Sequence, residues 1–113
     1  MSNVTPLFQG PRRAAQVTFD RTELNIIMNL YGRMVAEGLW RDYAIDMSRD
    51  EAVFSAFERA SEQPSTRIVK RPELRAKQGQ YLLVGEAGVQ RRGHDLVPLL
   101  APIERKLLKL VEA

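Results

Sequence analysis

The chain has 113 residues, 17 lysines and arginines against 14 acidic residues, one histidine and no cysteine. This length supports one domain, large enough to bury a core without a crosslink or metal. The missing thiols exclude disulfides, thiolate zinc sites, iron–sulfur clusters and cysteine nucleophiles; with no leader-like apolar run and no stretch near ~20 apolar residues, the chain reads as a cytoplasmic protein.

Residues 1–18, "MSNVTPLFQGPRRAAQVT", hold Pro, Gly, Asn and Gln without apolar periodicity and read as a flexible N-terminal arm, leaving 19–113 as a single α+β domain. The first element starts at "FDRTEL". Asp20 with Glu23 three residues on makes a capping box, and Phe19 is placed to staple onto Leu24. Leu24, Ile27, Met28, Tyr31, Met34 and Val35 share one helical face and Gly38 supplies the stop, so the spacing predicts a helix over 20–37.

"WRDYAIDM", 40–47, alternates as a half-buried strand does. The next piece admits two readings. In "SRDEAVFSAFERASEQP", Ser48 with Glu51 offers a second capping box, and Val53, Ala56, Phe57 and Ala60 fall at helical spacing; "AVFSAF" is also rich in β-formers. The capping box decides for a helix inserted over 50–62. "TRIVK" then reads as a strand stopped by Pro72, and "YLLV", "GEAG", "VQRR" as a β-hairpin, giving a small antiparallel sheet of about four strands. Leu96, Leu99, Leu100, Ile103, Leu107, Leu110 and Val111 make a C-terminal helix packed on that sheet, with Asp95 as N-cap and a kink at Pro102.

"YGRMVAEGLWRDYAID", "AVFSAFERASEQP", "RIVKRPELRAKQGQY" and "RRGHDL", taken in order, resemble a family of short alphaproteobacterial cytoplasmic proteins classed as a domain of unknown function. The resemblance spans about residues 19–110. It implies a bacterial cytoplasmic setting and one domain, and carries no activity, cofactor or catalytic residue with it.

Three sites remain to be weighed from the residues. His94 and Asp95 lie between the last strand and the last helix. As a catalytic pair they would form a general acid or base with its orienting carboxylate; as structure they are a turn and a helix cap, and with no nucleophile or oxyanion-hole pattern nearby the structural reading is preferred. No cofactor is expected, nor a metal, because one histidine and Asp42, Asp46, Asp50 and Glu51 lack ligand spacing. Residues 67–92 carry seven basic and two acidic side chains. Lys70, Arg71, Arg75, Lys77, Arg91 and Arg92 are therefore a candidate polyanion site for nucleic acid, weighed against a merely solvated charge pattern. The last helix is apolar beyond one stripe, which predicts a homodimer with Leu108 at its interface. The leading expectation is a non-enzymatic protein-interaction domain that self-associates, with nucleic-acid binding and a small enzyme centred on His94 as alternatives.

Overall fold

A computed structural model describes residues 16–59 and 63–112. These residues form an α+β fold in which one layer of helices covers one face of a five-stranded antiparallel sheet. Helix α1 (Arg21–Ala36) opens with the anticipated box. The Glu23 amide donates to Asp20 Oδ1 at 2.8 Å, and the Asp20 amide donates to Glu23 Oε1 at 2.8 Å, so two otherwise orphaned amides are satisfied. Gly38 takes φ 74° just past the helix end, a left-handed turn that costs glycine little. The buried stripe is rotated slightly from the predicted one. Glu23, Ile27, Leu30 and Met34 point inward, while Val35 is exposed.

Strands β1 (Asp42–Met47), β2 (Ala52–Phe57), β3 (Thr66–Lys70), β4 (Tyr81–Gly85) and β5 (Gly88–Gly93) pair strictly with their chain neighbours. The helix predicted over 50–62 is therefore wrong. Residues 52–57 are strand β2, residues 60–62 lie outside the described residues, and the sheet has five strands rather than about four. The source of the error is chemical. Ser48 and Glu51 do interact, with Ser48 N donating to Glu51 O at 2.9 Å and Ser48 Oγ within 3.4 Å of Glu51 N, but these bonds close the tight turn that pairs Met47 with Ala52. A serine bonding three residues ahead serves turns as well as helix starts.

Registration assigns each strand residue to a face, since cross-strand partners share one. The inner face carries Ile45, Phe54, Ile68 and Leu83 in one row, and Met47, Ala52, Lys70 and Tyr81 in the next. Its apolar members join Phe19, Ile27, Leu30, Met34 and Trp40 in a single core. Aromatic edges knit α1 to this face: Tyr31 meets Tyr43 at 4.9 Å between ring centroids and Phe54 at 6.1 Å. The final segment breaks at Leu100 into α2 (Leu96–Leu99) and α3 (Ala101–Glu112), as the amide missing at Pro102 predicts. Leu96, Leu99, Leu100, Ile103 and Leu107 complete the core.

Of the anticipated arm, Gln16–Thr18 are tied to the fold: Val17 N donates to Ser48 O at 2.8 Å and Thr18 O accepts from Lys70 Nζ at 2.9 Å. Residues 1–15 lie outside the described residues. Among the described residues no helix is long and apolar enough to cross a membrane.

Candidate functional site

His94 and Asp95 are exposed and border a hollow of about 290 Å³ formed with Thr22, Glu23, Ile26 and Tyr81. The hollow is positioned by a close backbone approach. Gly79, at φ 97°, lies so near the Gly93 carbonyl and the His94 amide that a side chain there would overlap them. At its floor Glu23 is buried at 6% exposure. Its Oε1 accepts from the Asp20 amide and from Lys70 Nζ, each at 2.8 Å, and its Oε2 accepts from the Tyr81 hydroxyl. Burial, and then the bond to Glu23, push the Tyr81 phenol well above its ordinary value, so it stays protonated and donates. The Glu23 carboxylate, the Lys70 ammonium and the Tyr81 hydroxyl together join the start of α1 to β3 and β4, which is a structural arrangement.

The pair above the cluster is less engaged. Asp95 occupies the N-cap position of α2 with an extended backbone, but its carboxylate makes no capping hydrogen bond, contrary to the sequence expectation. A one-turn helix continued by proline offers little for a cap to hold. Among the described residues, neither the imidazole of His94 nor the Asp95 carboxylate has a hydrogen-bond or ion-pair partner, so nothing orients His94 as a general base.

The basic residues do not gather on one surface. Lys70 points inward, its ammonium 2.8 Å from Glu23. Arg71 bridges Glu51 at 3.4 Å and Glu73 at 2.5 Å, the bond to Glu73 holding its guanidinium more firmly charged. Arg75 donates to Gln80 at 3.3 Å in the connector, where Lys77 is exposed. Arg91 and Arg92 flank opposite faces: Arg91 registers with Leu83 on the inner face and Arg92 with Leu82 on the outer. A bulge beside them, where Leu83 pairs with Arg91 but Val84 with Val89, leaves Gln90 as the extra residue.

The outer face of the sheet went unrecognised in the sequence. Two rows cross all five strands. One runs Asp46, Val53, Val69, Leu82, Arg92; the other runs Ala44, Ser55, Arg67, Val84, Val89. Helices α1, α2 and α3 all contribute to the core on the opposite face. Val69 and Leu82 sit low at the centre, at 9% and 8% exposure, while Val53, Phe57 and Val84 are half-buried and Ala44 and Val89 exposed. A one-sided antiparallel sheet ordinarily presents polar residues to water; strands apolar at both parities belong to sheets covered on both faces. "YLLV" and "RIVK" carry that signal, as the alternation count used for strands ignores it.

A second apolar surface lies on the helices. A groove of about 370 Å³ runs between the end of α1 and α3, lined by Ala36, Leu107, Leu108 and Val111. Arg33 and Glu104 bridge the two helices beside it through two parallel bonds of 2.8 and 2.9 Å. Leu108 faces outward, 56% exposed.

With this geometry in place, comparison with known proteins adds one finding: the family described as protein of unknown function (DUF2794) matches residues 17–100. No curated protein matches the chain, and no solved structure does.

Proposed function

This chain belongs to the DUF2794 family of proteins of unknown function, and we propose that it is a non-enzymatic protein-interaction domain that self-associates. The observation that carries this reading is the apolar outer face of a sheet whose helices α1, α2 and α3 pack on the other side. Apolar area of that kind is stabilised by a covering partner, and a two-fold dimer supplies one without any second gene product. The groove beside Leu108 is a second apolar surface open to a partner. A cysteine-free chain suits the reducing bacterial cytoplasm in which we place it. Sedimentation of the full chain over a micromolar dilution series tests the reading, with Val84→Glu and Leu108→Glu as probes of the two surfaces. A dimer that one of the two variants dissociates is expected; a wild-type monomer throughout overturns it.

Nucleic-acid binding is the second reading, supported by the exposed Lys77, Arg91, Arg92 and Arg67, none of which is held in an ion pair among the described residues. Because these four are spread over two faces and a connector, binding would be weak and would fall with added salt at a log–log slope of about −3 to −4 on duplex DNA. Titration with DNA and RNA at low ionic strength tests it, and no binding there removes it.

A further inference from the structure

The outer row Asp46–Val53–Val69–Leu82–Arg92 has an order of its own: an acid at one sheet edge, three apolar residues across the middle, and a base at the other edge. Read backwards it complements itself, with Arg opposite Asp, Leu opposite Val, and Val69 opposite Val69. We propose that a second copy of this chain covers this face, sheet against sheet, about a two-fold axis running close to the direction of the central strand β3, so that Asp46 of each copy meets Arg92 of the other.

The axis direction follows from the charges. A two-fold along the strands reverses the strand order between layers, setting β1 of one copy over β5 of the other and bringing the acidic edge to the basic edge. A two-fold across the strands would instead stack β1 on β1 and β5 on β5, opposing Asp46 to Asp46 and Arg92 to Arg92, which like-charge repulsion disfavours. Sheets packed face to face lie ~10 Å apart with strands within about 30° of alignment, and the strand-parallel axis produces that family of packings. The neighbouring row fits the same operation: Ala44 of one copy lies over Val89 of the other, and Arg67, on the central strand, lies beside the axis. There the two Arg67 side chains must splay toward the rims, which their long apolar stems permit.

The face is modest. Five strands ~4.8 Å apart and about five residues at ~3.4 Å rise make a patch of about 24 by 17 Å, below the ~800 Å² per partner of a standard interface. The dimer is thus one that dissociates on dilution, with the edge charges fixing its register.

This inference rests on the self-association reading above, and a charge-exchange cycle on the full chain separates the two. Dimer dissociation constants are measured by sedimentation for the wild type, Arg92→Glu, Asp46→Arg and the double variant, with circular dichroism to check the fold. Each single variant should weaken the dimer by about tenfold or more, because symmetry repeats the like-charge clash at both edges. The double variant restores opposite charges at both edges and should return to within about threefold of wild type. Added salt should weaken the wild type and the double variant alike. A dimer indifferent to both reversals, or one dissociated by Leu108→Glu alone, overturns the sheet-face assignment while leaving self-association standing. A monomeric wild type, as when residues 1–15 or a different protein occupy the face, overturns both.

Discussion

The Tyr81 hydroxyl donates to Glu23 Oε2 across 58 residues of chain, fastening the first turn of α1 to the start of β4. The phenol is buried and its proton is held by both desolvation and the carboxylate, which raises its pKa above the ordinary 10.0. In the unfolded chain that pull is absent. Above pH ~10 the unfolded state sheds the proton while the folded state keeps it, so stability contributed by this group is complete below the unfolded pKa and is lost as pH rises toward the folded one. Urea unfolding at a series of pH values should show the wild type losing stability above pH ~10 more steeply than Tyr81→Phe. At neutral pH the same variant should be about 1–2 kcal/mol less stable, the usual effect of leaving a buried acceptor short of one donor. Equal alkaline slopes in the two proteins would show that the bond does not hold the proton.

Phe54 and Phe57 lie on opposite faces of β2, and the assignment of 52–57 as strand makes unequal demands on them. Phe54 is fully buried against Tyr43 and Trp40, with ring centroids 5.6 and 6.4 Å away, so Phe54→Ala should destabilise the protein by about 3–5 kcal/mol. Phe57 is half-buried on the outer face, and Phe57→Ala should cost about half of that or less, in proportion to the area it removes from water. Equal losses, or helical chemical shifts through 52–57, would contradict the strand.

Two aspartates occupy N-cap positions, and only one of them caps. Asp20 Oδ1 accepts from the Glu23 amide, whereas the Asp95 carboxylate accepts nothing at α2. Thermal or urea denaturation should therefore find Asp20→Ala about 0.5–2 kcal/mol destabilising. Asp95→Ala should fall within about 0.5 kcal/mol of wild type, as an unengaged surface side chain does. A loss at Asp95 as large as at Asp20 would restore it as a cap.

Both terminal helices, the final hairpin and the break at Pro102 were legible because their signals are local: a box, an apolar stripe at helical spacing, a glycine stop, a missing amide. Residues 52–57 were not, because Ser48 and Glu51 interact in the same i, i+3 manner whether a helix begins or a hairpin turns. What separates the two outcomes is the partner on the other side. Phe54 between Ile45 and Ile68 gains far more from lateral pairing than a short helix gains from its cap, and neither neighbour is close in sequence. The basic cluster misled in a related way. Counting charges along 67–92 cannot reveal that Lys70 turns inward to a carboxylate 47 residues earlier, nor that Arg91 registers with Leu83 on the inner face and Arg92 with Leu82 on the outer. The Asp46–Arg92 row was invisible for the same reason, since it exists only once four registers are fixed.

The strictly sequential sheet also shapes how the chain reaches this structure. No strand pairing has to close a loop longer than the connector between β3 and β4, so each hairpin can form in microseconds and add to the last. The distant encounters belong to the helices: Glu23 must find Tyr81, and Arg33 must find Glu104 71 residues away. Contact order alone predicts that α1 and α3 settle on the sheet late, and until they do, the inner face with Phe54, Ile68 and Leu83 lies open to water. During that interval the nascent chain has two sticky faces rather than one, and the delay in helix docking sets how long it is exposed to aggregation.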